Sequence, residues 1–158
     1  GSSCIYPKHS LQPIKESSLL SGNLEESNLP YAIAKISGKV MCDAYKSQYG
    51  FNAFTVMPCN VYGIGDNFDP ENSHVVAGMM RRFHEAKINQ KSEVIVWGTG
   101  EPLRELIFSD DLAEGCLILL KKYEDGGMVN LGSSQEISIK KLAKIVSEVI
   151  GYKFKNEI

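Results

Sequence analysis

Tyr31 and Lys35 stand four residues apart in a stretch whose apolar residues recur at three and four. On a helix the two therefore share one face. A tyrosine hydroxyl titrates near ~10, and a neighbouring ammonium favours the phenolate and lowers that value. Such a pair can give and take a proton near neutral pH. The competing reading is a solvated helix face, because both residue types are common there. Two loops weigh against it. Ser2, Ser3 and Cys4 lie upstream at the expected end of a strand, and Pro58, Cys59, Asn60 and Val61 follow the next expected strand. Ligands of open parallel sheets sit at the carboxyl ends of strands, so both loops are expected on the crevice that Tyr31 faces.

The elements that must position these residues follow from the pattern. Residues 8–30 are polar, with scattered Pro, Gly, Ser and Asn, and read as a long surface loop. A helix opened by Asn28 or Pro30 carries Ala32, Ile33, Ile36, Val40, Met41 and Ala44 as one buried face. Gly50 stops it. A strand is expected over 51–56. Asn72-Ser73 caps a second helix through His74 to about Ile88. Short strands are expected at 94–97 and 106–108, and Ser109 or Asp110 caps a helix from about Leu112 to Lys122. A strand at 127–131 and a last helix, capped by Ser138 and stopped by Gly151, complete the pattern. Strands alternating with helices predict an α/β fold with parallel pairing.

Composition narrows the functional classes. The 158 residues are 43% hydrophobic and 23% charged, and the formal net charge is -2. This gives no basic field for nucleic acid or an anionic membrane, and no apolar run reaches the ~18 residues of a membrane span. The cysteines at 4, 42, 59 and 116 form no C-x-x-C pair. Neither a cysteine metal cluster nor a disulfide framework is expected, most of the four are read as small core residues, and a reduced cytoplasmic setting follows. Asp110 and Asp111 read as helix N-terminal carboxylates rather than metal ligands. His9 and His84 read as surface residues and Tyr62 as packing.

The segments Gly-Ser-Ser-Cys-Ile-Tyr-Pro at 1–7, Pro-Tyr-Ala-Ile-Ala-Lys at 30–35 and Val-Met-Pro-Cys-Asn-Val-Tyr-Gly at 56–63, with Asn-Ser-His-Val at 72–75, Arg-Arg-Phe-His-Glu-Ala at 81–86 and Val-Trp-Gly-Thr-Gly at 96–100, run through almost the whole chain. Together they resemble the extended short-chain dehydrogenase/reductases, most closely the GDP-L-fucose synthase family. That resemblance implies the later part of an NAD(P)-binding Rossmann fold over residues 1–68. Residues 69–158 would be mostly a small α/β substrate domain, with 104–132 returning to the Rossmann core. It implies epimerisation of GDP-4-keto-6-deoxy-D-mannose at C3 and C5, then reduction at C4 with NADPH. Tyr31 would protonate the C4 oxygen, Ser2 would hydrogen-bond it with Ser3 as rival, and Lys35 would tune Tyr31 and hold the nicotinamide ribose. Pro58, Cys59, Asn60 and Val61 would line the nicotinamide.

The resemblance also gives Cys4 and His74 the base and acid roles of the epimerisation. A thiol near ~8.5 can act as base where thiolate is favoured, and a histidine near ~6.5 suits the acid. The plainer readings are a buried Cys4 and a His74 that caps a helix or contacts the cofactor. Arg82 and Arg104 are candidates for the diphosphate, since a guanidinium fork matches phosphate oxygens, and Arg81 should point elsewhere on the helix. Trp97 is a candidate to pack on the substrate; its plainer reading is a core aromatic. A homodimer through the helix carrying Tyr31 is implied as well.

The chain departs from the family in lacking the strand, G-x-x-G-x-x-G, helix unit that holds the cofactor pyrophosphate. It is therefore read as a fragment, and NADP rests on the resemblance alone. On that expectation the segment binds NADPH at least about tenfold more weakly than a chain with that unit, and shows no turnover. The alternatives are another nucleotide-sugar 4-reductase, 4-epimerase or 4,6-dehydratase, or a non-catalytic cofactor-binding relative.

Overall fold

The computed structural model describes residues 1–153. These form an α/β chain divided into two compact units, each assembled from separate stretches. The first unit holds Gly1–Val61 and Ile107–Ser133; the second holds Tyr62–Leu106 and the described residues from Ser134 onward.

In the first unit, helix α1 spans Leu29–Tyr49. Pro30 sits in its first turn, where a missing N–H costs nothing. Gly50 ends it in the left-handed conformation (φ 64°), its N–H bonding the Lys46 carbonyl at 3.0 Å. Strand β1, Phe54–Pro58, pairs in parallel with β4, Gly127–Leu131, from Phe54 opposite Gly127 to Pro58 opposite Leu131. That ladder explains why the strand expected over 51–56 forms later in the chain: Phe51 and Asn52 precede the first paired position and stay exposed. Helix α3, Ser109–Lys122, starts directly after Phe108, with Asp110 and Asp111 in its first turn where they oppose the helix dipole. A Cβ on its Gly115 would come within 2.9 Å of a Leu131 methyl, so the bare backbone there brings α3 close to β4.

The core of this unit is Ile5, Tyr6, Ala32, Ile36 and Met57, flanked by Ile14, Leu19, Leu24 and Met128. The 3-10 turn Ser3–Ile5 thus packs on α1 and β1 through fully buried Ile5. The loop over 8–28 is not featureless. It contains 3-10 turns at Glu16–Ser18 and Glu26–Asn28, and it is tied down through Asn130. Asn130 accepts from the Tyr6 hydroxyl at 2.5 Å, its backbone N–H donates to Glu16 Oε1 at 2.8 Å, and its side-chain amide donates to the Ile14 carbonyl at 3.0 Å.

Strand β2, Asn60–Tyr62, lies where the chain leaves the first unit. In the second unit, α2, Val75–Ile88, packs on α4, Ile139–Ile150. Met79, Phe83 and Ala86 of α2 meet Ile139, Leu142, Ala143 and Val146 of α4, with Tyr152 alongside. Ser138 caps α4 through Lys141 N–H at 3.2 Å, and Gly151 closes it at φ 73°. Strand β3, Leu103–Phe108, pairs antiparallel with the short β5, Glu136–Ser138.

Four expectations are corrected. Residues 94–97 form no strand: Val94 and Val96 turn inward onto the core while Ile95 and Trp97 face out, but no backbone ladder joins them. Helix α2 is capped by His74, one residue beyond the expected Asn72-Ser73. Of the apolar set expected to be buried on α1, only Ala32 and Ile36 are; Ile33, Val40 and Met41 are about half exposed or more (50%, 49% and 59%). The cysteines, expected mostly in the core, are not buried: Cys4 is exposed, Cys42, Cys59 and Cys116 are only partly covered, and none is in a disulfide. Among the described residues no helix is long and apolar enough to cross a membrane.

Candidate functional site

Ala32 and Ile36 form the buried stripe of α1. Tyr31 and Lys35 sit one position earlier, about 100° around the helix, and so lie at the rim of that stripe rather than in it. Tyr31 is 46% exposed and Lys35 is exposed. The Lys35 ammonium lies 5.5 Å from the centre of the Tyr31 ring, within reach of a cation–π attraction. Among the described residues Lys35 has no ion pair, so its three N–H donors remain open to a ligand.

The Ser2–Cys4 turn is held against this same helix by Ile5. Ser2 is extended (φ -166°, ψ 144°) and caps the turn, its hydroxyl oxygen accepting from Cys4 N–H at 3.3 Å. That bond uses an acceptor site and leaves the hydroxyl proton for a ligand oxygen. Ser3 is half-buried and lies inside the turn, while Cys4 is exposed with its thiol free. Gly1 runs so close to β1 that a Cβ would fall 2.9 Å from the Val56 carbonyl oxygen.

Pro58 is the last residue of β1, and Cys59 N–H bonds the Leu131 carbonyl at 3.1 Å, which fixes the exit of the chain beside β4. Asn60 and Val61 follow, exposed, at the carboxyl end of this parallel pair. Ser2, Ser3, Cys4, Tyr31, Lys35, Pro58, Cys59, Asn60 and Val61 therefore all belong to the first unit.

The remaining candidates belong to the second unit. His74 is the exposed N-cap of α2. Arg82, midway along that helix, lays its guanidinium 4.7 Å from the centre of the Trp97 ring. Its Nε donates to the Gly78 carbonyl at 3.1 Å and Nη1 to the Ile95 carbonyl at 3.4 Å. Trp97 is 70% exposed, so the core-aromatic reading fails for it. Arg81 does point elsewhere, to Glu85 and to the Phe68 carbonyl. Arg104, on β3, is exposed and turns Nη1 to the Leu103 carbonyl at 2.7 Å. A cavity of about 380 Å³ lined by Phe68, Met80, Arg81, His84 and Ile150 contains none of the candidate residues, and its walls are chiefly apolar.

The sequence pattern of the NAD dependent epimerase/dehydratase family matches residues 1–132. The chain belongs to that family. Among similar proteins, GDP-L-fucose synthase 1 of Arabidopsis thaliana is 56% identical over 98% of this chain and 48% of its own length. GDP-L-fucose synthase of Escherichia coli is 44% identical over 97% and 50%, and GDP-L-colitose synthase of Yersinia pseudotuberculosis is 35% identical over 97% and 50%. The chain thus spans about half the length of the relatives it matches. Among solved structures, a GDP-L-fucose synthetase from Naegleria fowleri bound to NADP superposes with a TM-score of 0.87 at 29% identity, over 98% of this chain and 49% of that one. A GDP-mannoheptose C4 reductase from Campylobacter jejuni with NADP bound gives 0.85 at 31%, over 98% and 56%.

The sequence reading passed over residues that hold this site in place. Tyr6, Asn130 and Glu16 anchor the chain leaving the Ser2–Cys4 turn. One available sign was Asn130 itself, a polar residue inside the apolar strand Gly-Met-Val-Asn-Leu. Gly78, in the interior of α2, was a second sign.

Proposed function

We propose that this chain carries the reacting centre of a GDP-sugar 3,5-epimerase and 4-reductase, which makes GDP-L-fucose from GDP-4-keto-6-deoxy-D-mannose with NADPH. The observation that carries the reading is the rim of α1. There a half-exposed Tyr31 lies beside Lys35, and the turn bearing Ser2, whose hydroxyl has a proton to give, is packed on the same helix through Ile5. The names of the most similar relatives support the sugar and the nucleotide.

The residues present fit a nicotinamide nucleotide. Lys35 would hold ribose hydroxyls, and Pro58 to Val61 would line the nicotinamide at the end of β1. When bound, NADPH supplies the hydride that goes to C4. Tyr31 gives its hydroxyl proton to the C4 oxygen, and Ser2 donates a hydrogen bond to that oxygen while charge develops on it. The Lys35 ammonium offsets the charge left on the phenolate. With the carbonyl polarised, the carbons beside it become acidic. Cys4 would take a proton from C3 or C5, and His74 would return one. The first unit, Gly1–Val61 with Ile107–Ser133, would serve the cofactor, and the second mainly the substrate. Arg82 and Arg104 would meet the diphosphate and Trp97 the nucleotide. The exposed face of α1 (Ile33, Val40, Met41, Tyr45) would pair with a second copy of the chain. Four cysteines outside any disulfide suit a cytoplasmic setting.

The test, run with the glycine-rich cofactor unit joined to the chain, is deuterium exchange into the keto sugar. Cys4→Ser should abolish exchange at C3 and C5 while leaving NADPH affinity unchanged. Undiminished exchange would favour a second reading, a simple GDP-sugar 4-reductase, which the likeness to the Campylobacter reductase supports.

A further inference from the structure

A glycine in a helix interior costs about 1 kcal/mol against alanine, so Gly78 needs a reason. Its backbone is not in the left-handed region, so conformational freedom is not that reason. Space is. A Cβ on Gly78 would lie 2.7 Å from Ser73 Oγ and 3.2 Å from Arg82 Nη2. Arg82 folds back along this bare stretch of helix, bonding the Gly78 carbonyl with Nε and the Ile95 carbonyl with Nη1, and so comes to rest over Trp97. Arginine gives up much side-chain freedom when it is fixed in this way. Here that loss is already met before a ligand arrives.

We infer that Gly78 is a positioning residue, whose missing side chain seats Arg82 on Trp97 and so preassembles a platform for an aromatic base and its diphosphate. The ligand class rests on the function proposed above; the seating of Arg82 does not. The exposed Trp97 ring offers a surface for a flat base, and the guanidinium beside it offers N–H donors for phosphate oxygens.

Trp97 is the single tryptophan of the chain, so acrylamide quenching of its emission reads the stack without any ligand. Ser73→Ala removes the hydroxyl that a new methyl would strike, and it serves as the reference. Adding Gly78→Ala to it then challenges Arg82 alone, and Gly78→Val does so with more bulk. Quenching should rise in both double variants towards that of Arg82→Ala, with helical circular dichroism kept. The GDP dissociation constant should weaken about threefold with Ala and about tenfold with Val, through loss of affinity and not of turnover in the bound state. Unchanged quenching in both double variants would overturn the positioning role, whatever GDP binding does. Raised quenching together with parental GDP affinity in the Gly78 variants and in Arg82→Ala would overturn the nucleotide platform instead.

Discussion

Replacing Tyr31 with Phe removes one oxygen from a side chain that is only half covered, so the fold should be spared. The expected result is a fall in C4 reduction of about 10²- to 10⁴-fold, the usual range for losing a general acid. Deuterium exchange at C3 and C5 should continue, because in the proposed mechanism Cys4, and not Tyr31, would take those protons. A stopped assay for GDP-L-fucose beside mass spectrometry of the keto sugar separates the two. Tyr6 answers to different physics. Burial, reinforced by the Glu16 charge and opposed by the bond to Asn130, pushes its phenol up to about 12. A raised folded value means the folded state prefers the proton, so this stabilisation is fully present below the unfolded value near ~10. It is lost as pH rises through about 12. Tyr6→Phe should cost about 1 kcal/mol at pH 9, and the gap from the parent should close by pH 12 in urea titrations. At this scale the sequence exposed the candidate residues of the site but not their supports. Tyr31 and Lys35 announce themselves by spacing, whereas Tyr6, Glu16 and Asn130 meet only after the chain has folded.

The elements divide by where their determinants lie. Helix α4 and strand β4 could be read directly, because a serine cap, a glycine stop and an apolar run are local signals. Ser138→Ala should therefore destabilise the protein by about 1 kcal/mol, seen as a lower urea midpoint with an unchanged slope. Strand β5, at three residues, was invisible because it exists only by pairing with β3. The run at 94–97 misled for the same reason in reverse: it has the alternation of a strand, and two of its residues do face inward, but it has no partner. Phe83 is fully buried where α2 meets α4. Phe83→Ala should cost about 3–5 kcal/mol, large enough to lower the thermal midpoint sharply.

For the whole molecule, the reading of α1 failed in an instructive way. Periodicity marks which residues are apolar, not what covers them. Ile33, Val40, Met41 and Tyr45 follow one another at helical spacing, yet this stripe is about half exposed beside the buried Ala32–Ile36 stripe. If a second copy covers it, Met41→Asp with Tyr45→Ser should halve the mass found by sedimentation equilibrium and leave the circular dichroism unchanged. An unaltered mass would remove the dimer from the proposal. The α/β class and the parallel pair were legible because strand and helix alternate. The antiparallel β3–β5 pair was not, since nothing in either strand names its partner.

The interleaving of the two units also governs the order of events during synthesis. Among the described residues the strand partner of Thr55 is Met128, and between them the chain makes most of the second unit. β1 must therefore wait for β4 while α2 emerges. A ladder closed over so long a loop forms late and slowly. Nascent chains stalled before residue 127 should hold the first unit open to protease, and those stalled beyond residue 133, clear of the ribosome, should protect it. Each unit needs a segment made on the far side of the other, so neither can be completed alone as the chain is synthesised.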